Sequence, residues 1–289
     1  MAVATAYITD ISAEEERARR FGYFHAMFGI GFIVGPVLGG LLGDVWVRAP
    51  FIAAALLNGA NFALAYFVLP ESRPGDAATR FDLANLNPFR PLGWAMSFAP
   101  LLPLMAIFVI VNFIGTVYGT AWAMFGDDAF GWSPLWVGIS LGAYGVCHAA
   151  AQAFATGPAV RLLGERWALV FGFCCEATAL IAAGFATQGW IIFAVMPLFA
   201  LGGVGMPALQ SLMTQQVDGD NQGKLQGVLS SLVSLAAVFG PLFFSTVYFA
   251  LQPHWPGAIW IVAAAVYLGV LPLVLAIRRV PGNRGNQEV

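Results

Sequence analysis

The chain has 289 residues, 59% hydrophobic and only 10% charged, with a mean hydropathy of +0.77. Soluble domains carry roughly 25% charged residues, so this composition excludes a water-soluble globule and points to an integral membrane protein. The net charge of −2 gives no sign of a nucleic-acid partner.

Eight apolar stretches follow one another, over residues 21–43, 50–69, 98–124, 136–156, 167–187, 190–213, 225–250 and 255–277. Each is close to the ~20 residues a helix needs to cross a bilayer core. Their polar interruptions are single residues, and none alternates in the manner of an outer-membrane barrel strand. The expected fold class is therefore all-α, a transmembrane helical bundle. On this map twelve of the thirteen Lys and Arg fall on one side and only Arg48 on the other. The positive-inside rule makes the twelve-residue side cytoplasmic, with both termini inside and Asp44, Asp127 and Asp128 outside. The opening residues 1–8 are too short for a cleavable signal peptide, and acids follow them.

The first and seventh stretches repeat one another. "RARRFGYFHAMFGIGFIVGP" (17–36) and "QGKLQGVLSSLVSLAAVFGP" (222–241) align under a shift of 205 positions, which carries Gly22 onto Gly227, Pro36 onto Pro241 and Thr9 onto Thr214. A parallel repeat of six-span halves joined by a cytoplasmic linker is a transporter architecture. The proline-rich polar stretch 70–97 is the expected linker, residues 98–289 the second half with its short cytoplasmic tail, and residues 1–69 a remnant of the first half. On this reading the chain begins at the cytoplasmic end of a helix cut in its middle.

Within the first stretch, "GIGFIVGPVLGG" gathers Gly29, Gly31, Gly35, Gly39 and Gly40 around Pro36. Small residues spaced by four let helix backbones approach closely in lipid, and the proline bends the helix by removing a hydrogen bond. Further on, "FGFCCEATALIAAGF" (171–185) holds Glu176 with no other charge within nine residues on either side. Ionisable groups at membrane depth are costly and usually mark function, and an apolar surround favours proton exchange over a permanent charge. The helix before it carries Ser140, Tyr144, His148, Gln152 and Thr156 at four-residue spacing, a polar stripe on one slowly turning face. Cys147, Cys174 and Cys175 all lie inside spans, and no Cys/His spacing fits a metal site.

"GPVLGG", after the loop "ISAEEERARRFG", resembles the antiporter motif of major facilitator drug/proton exchangers, here Gly31, Gly35, Pro36, Gly39 and Gly40. "APFIAAALLNGANF", "GISLGAYGVCHAAAQAFATGP", "LLGERWALVFGF", "GGVGMPALQSLMTQQVD" and "QGKLQGVLSSLVS" resemble the tetracycline/proton antiporters, and the similarity runs from residue 2 to about residue 279. The resemblance implies a twelve-helix major facilitator bundle, of which about eight helices are present here. The first-half cytoplasmic motif is absent. Its weaker counterpart is "GPAVRLLGERWA" (157–168), with Val160 and no aspartate nearby, read as a structural hinge loop.

The same resemblance implies, for the intact protein, proton-coupled efflux of tetracycline, carried as a divalent-cation chelate across the bacterial cytoplasmic (inner) membrane, giving antibiotic resistance. No cofactor and no enzyme activity are implied. The proton is the coupling ion, a divalent cation enters only with the drug, and the partners are a tetracycline-class molecule and the lipid bilayer. Glu176 matches an intramembrane acid of the family, usually aspartate, and His148 a histidine associated with proton coupling. Tyr144, Gln152, Asn58, Asn61, Asn112 and Gln210 are candidates for the drug path. The two helices bearing His148 and Glu176 are expected to be antiparallel neighbours facing one polar cavity. Two other readings stand beside this one: a truncated, non-transporting fragment, and a major facilitator exporter of a different drug.

Overall fold

The computed structural model describes residues 7–8, 11–12, 14–68, 93, 98, 101–218 and 221–276. The expected linker, 70–97, falls outside them apart from residue 93, as does Thr9 of the repeat. Ten helices have their bounds within the described residues: α1 Glu14–Val45, α2 Ala49–Val68, α3 Leu101–Phe130, α4 Pro134–Phe154, α5 Thr156–Leu163, α6 Glu165–Gly184, α7 Gly189–Gly202, α8 Gly205–Thr214, α9 Gln222–Leu251 and α10 Ala258–Ala276.

Among the described residues each of the eight expected spans is mainly helical, but the stretch 190–213 is two helices, not one. The chain is interrupted after Gly202, where glycines and Pro207 weaken the helix, and it resumes at Gly205. Seven helical segments among the described residues are long and apolar enough to cross a membrane, α7 and α8 counting together. The remaining expected span, α4, is long enough at 21 residues. Its polar stripe lowers its hydropathy and takes it out of that set. The chain is a multi-pass membrane protein. The repeat-related segments both lie in long helices with an internal proline, Pro36 in α1 (32 residues) and Pro241 in α9 (30 residues).

Two compact units divide the chain. The first comprises residues 1–87, 122–150 and 187–197; the second comprises 88–121, 151–186 and 198–289. In the first, α1 packs on α2 and on the start of α4. Trp122 and Phe125 of α3 and Ile192 and Met196 of α7 are buried there, while α2 buries no residue and presents Phe51, Phe62 and Phe67 outward. Outward apolar side chains are the expected surface of a protein whose solvent is lipid.

The second unit holds the denser core. α6 packs along α10 and against α8, and α5 and α9 pack beside α6 and α10 respectively. Leu169 and Leu180 of α6, Leu209 of α8, Phe244 and Tyr248 of α9 and Trp260 of α10 are fully or almost fully buried. Small residues set how closely these helices approach. A Cβ on Gly184 would meet Ile261 side-chain atoms at 2.6 and 2.9 Å and the carbonyl of Gly257 at 3.1 Å. One on Gly240, just before Pro241, would fall on the side chain of Thr116.

Candidate functional site

Glu176 lies on the face of α6 that carries Gly172, Phe173, Ala179 and Leu180 into the core of the second unit, and it is itself buried at 8% exposure. The hydroxyl of Tyr118, from α3, donates a hydrogen bond to its Oε1. The Tyr118 ring is held in turn by two others, stacked on Trp260 at 5.7 Å between centroids and edge-on to Phe199 at 5.8 Å. The other carboxyl oxygen, Oε2, occupies the space into which Gly202 would project a Cβ. No cation pairs with Glu176 among the described residues. A buried carboxyl group bonded by the hydroxyl of an anchored tyrosine can bind and release a proton while remaining held in place.

Tyr118 was not singled out from the sequence. The available signal was a tyrosine deep within an apolar span, whose hydroxyl needs a polar partner when buried. Gly202 likewise reads as ordinary glycine in "ALGGVG" until the carboxyl lying on it is seen.

The polar stripe of α4 has several separate partners. Ser140 is buried, accepts from Trp122 Nε1 at 2.9 Å and donates to its own helix at Val137 O. Tyr144 and His148 lie one turn apart, Oη and Nδ1 separated by 3.5 Å and the rings by 5.5 Å. Gln152 donates from Nε2 to the carbonyl of Gly203 at 3.0 Å and accepts from Thr156 Oγ1 at 3.1 Å. Glu176 belongs to the second unit and His148 to the first.

The remaining amides differ in setting. Asn112 Nδ2 donates to Phe108 O and Asn58 Nδ2 to Ala54 O, both at 2.8 Å and both within their own helix. Asn58, Asn61 and Gln210 are exposed, and Asn112 is half-buried. No group of three or more His, Cys, Asp or Glu is arranged to hold a metal ion among the described residues.

The glycine motif of α1 divides sharply. A Cβ on Gly31, Gly35 or Gly39 would meet nothing within 4 Å among the described residues, whereas one on Gly40 would lie 2.6 Å from the carbonyl of Pro134. From the other helix, a Cβ on Gly138 would fall on the carbonyl of Pro36, and one on Gly142 would meet Val37 at 2.6 Å. The α1–α4 contact thus runs through Pro36, Val37 and Gly40. Beside it lies an open cavity of about 570 Å³, lined in part by Gly39, Asp127, Trp132 and Leu141.

The stretch 157–168, read as a hinge loop, is largely helical instead. α5 ends at Gly164, whose φ of +76° allows the reversal, and α6 begins directly after it. Glu165 accepts from Ser211 Oγ and from Gln215 Nε2, the latter at 2.7 Å, tying the start of α6 to α8 and the residue just after it. Arg166 donates to the carbonyl of Leu275.

The Major Facilitator Superfamily profile matches residues 1–126 and 104–289. The chain is 46% identical over 278 residues to the tetracycline resistance protein, class C, of Escherichia coli, covering 96% of this chain and 69% of that one. It is 45% identical to the class G protein of Vibrio anguillarum, covering 94% of this chain and 69% of that one. In fold it is similar to the human organic anion transporter MFSD10 (TETRAN), with a TM-score of 0.63 at 20% identity, over 93% of this chain and 66% of that one.

Proposed function

Because this chain belongs to the major facilitator superfamily and, within it, to the tetracycline resistance proteins, we propose that it exports a tetracycline-class drug in exchange for an entering proton. The observation that carries this reading is Glu176, an acid buried within a membrane-crossing helix and bonded by Tyr118, whose ring is packed on Trp260 and Phe199. Membership of the family puts the chain among transporters and not among enzymes.

In the proposed cycle, a proton enters from outside and converts the Glu176 carboxylate to the neutral acid, forming one O–H bond and breaking none in the protein. Release of that proton to the cytoplasm regenerates the anion, and the Tyr118 hydroxyl stabilises it. His148, half-buried with Tyr144 beside its ring, is a second proton-handling group. The drug travels as its divalent-cation chelate, with Tyr144, Gln152, Asn112, Gln210 and Asn58 along its path. Proton and drug alternate in occupying a passage between two six-helix halves, residues 1–69 belonging to one and 98–289 to the other. The termini and the 70–97 linker lie in the cytoplasm, on the side of the twelve basic residues, in the inner membrane of a bacterium.

Everted membrane vesicles containing this chain test the reading. Imposing an acid interior should drive uptake of tetracycline with Mg²⁺ and a matching outflow of protons, both abolished by a protonophore. Tetracycline uptake that ignores the proton gradient, or no uptake at all, would refute it.

A further inference from the structure

Pro207 removes a hydrogen bond that the α7–α8 segment would otherwise make. In a continuous helix the amide of residue 207 would donate to the carbonyl of Gly203. Proline has no N–H, so that carbonyl loses its helical partner inside a membrane-crossing segment, where an unmet polar group is costly. The gap is filled from a different helix, by Gln152 Nε2 of α4 at 3.0 Å. The turn itself is tightened: Gly203 N donates to Ala200 O at 3.2 Å and Val204 N to Leu201 O at 3.1 Å, three-residue bonds in place of four-residue ones.

α6 bears on the same turn. A Cβ on Gly172 would lie 2.7 Å from Gly205 N and 2.9 Å from Gly202 O. One turn further along α6, Glu176 Oε2 lies where Gly202 would carry its Cβ. Consecutive residues of the interruption are therefore held by the two polar side chains, Gly202 by Glu176 and Gly203 by Gln152.

We propose that the interruption at residues 202–205 is the joint through which Glu176 and Gln152 act on one another, with Gln152 a positioning residue that sets the joint. The proposal rests on Glu176 being the proton carrier. A carboxylate only accepts hydrogen bonds, whereas the acid also donates one, so the fit of Oε2 on Gly202 differs between the two states. The difference is taken up where the backbone is softest, in a turn of long three-residue bonds and one side-chain-held carbonyl. Gln152 is attached to that carbonyl, so proton uptake shifts it. Conversely, a drug that competes for the Gln152 amide frees Gly203 O and alters the seat of Glu176. By linkage the two effects are equal in free energy.

Amide hydrogen exchange over residues 198–210, measured on the whole chain in lipid nanodiscs, tests the joint. Gln152→Leu should speed exchange there roughly tenfold, the worth of one buried hydrogen bond. In the Gln152→Leu, Pro207→Ala double variant much of that gain should vanish, because the restored amide can meet Gly203 O. Glu176→Gln should change exchange at these positions when Gln152 is present and much less when it is leucine. If Gln152→Leu does not fold, tetracycline with Mg²⁺ added to the unsubstituted chain must by itself change exchange at these positions. Exchange untouched by Glu176→Gln, or changed equally with and without Gln152, overturns the joint. If Glu176→Gln also leaves proton-coupled uptake intact, the proton-carrier reading has failed; if uptake is lost while exchange is untouched, only the joint has.

Discussion

A Cβ built on Gly138 of α4 would fall on the carbonyl oxygen of Pro36 of α1, so the two backbones are in contact at that point. The obstacle is main chain, which cannot rotate out of the way as a flexible side chain does. The Pro36 carbonyl is held within the long helix α1, and Gly40 repeats the close approach one turn later against Pro134.

Gly138→Ala should therefore cost about 1–3 kcal/mol through overpacking. Gly35→Ala, where the new methyl meets nothing within 4 Å among the described residues, should be neutral or stabilising by up to ~1 kcal/mol, since alanine is the better helix former. Thermal unfolding of the two detergent-purified variants compares them directly. Equal destabilisation would mean that Gly35 has a neighbour of its own.

Tyr118→Phe isolates the hydroxyl that Glu176 accepts. The ring stays, with its contacts to Trp260 and Phe199, so the core is not opened. The expected loss of stability is about 1–3 kcal/mol, the penalty for leaving a buried partner short of a hydrogen bond. Proton-coupled uptake should fall while the amount of protein in the membrane is unchanged. Unaltered uptake with altered stability would leave Tyr118 as packing alone.

Much of the fold was legible because bilayer thickness and helix rise leave few choices: among the described residues every apolar stretch of about 20 residues is helical, and all but one form a single membrane-length helix. Positions that needed two helices at once were not legible. Gly40 and Gly31 look alike in "GIGFIVGPVLGG", yet only Gly40 has a backbone against it. The break within 190–213 was written as Gly202, Gly203 and Pro207, but apolar composition ran straight through it. Gln152 was read as part of a polar stripe facing a drug, and its partner is a carbonyl freed by a proline 55 positions away. Glu176 stood out because charge in lipid is rare; Tyr118 did not, because a tyrosine in a membrane span is common enough to pass.

The charge asymmetry predicts topology. In a cysteine-free background, a single cysteine at the exposed position Asp127 should react with a membrane-impermeant maleimide added to intact cells. One at Arg161, also exposed and on the basic side, should react only after permeabilisation. Labelling of position 161 from outside would invert the map and with it the direction of drug movement.

Glu176→Gln and Glu176→Asp separate charge from shape at the central acid. Glutamine has nearly the same size, can still lie on Gly202, and keeps an amide oxygen that can accept from Tyr118. It cannot take up and release a proton. Coupled drug–proton exchange should therefore be abolished while expression, insertion and thermal stability stay close to those of the unsubstituted chain. Aspartate keeps the titratable group but shortens the side chain by one methylene, drawing the carboxyl back from both the Tyr118 hydroxyl and Gly202. It should retain partial exchange at reduced stability, with a cavity-related cost on the order of 1 kcal/mol. The ordering distinguishes the two roles: if proton transfer matters most, aspartate outperforms glutamine in transport although glutamine is the more stable protein. Vesicle transport and unfolding measured on both variants give that comparison, and a glutamine variant that still exchanges drug for protons would remove Glu176 from the proton's route.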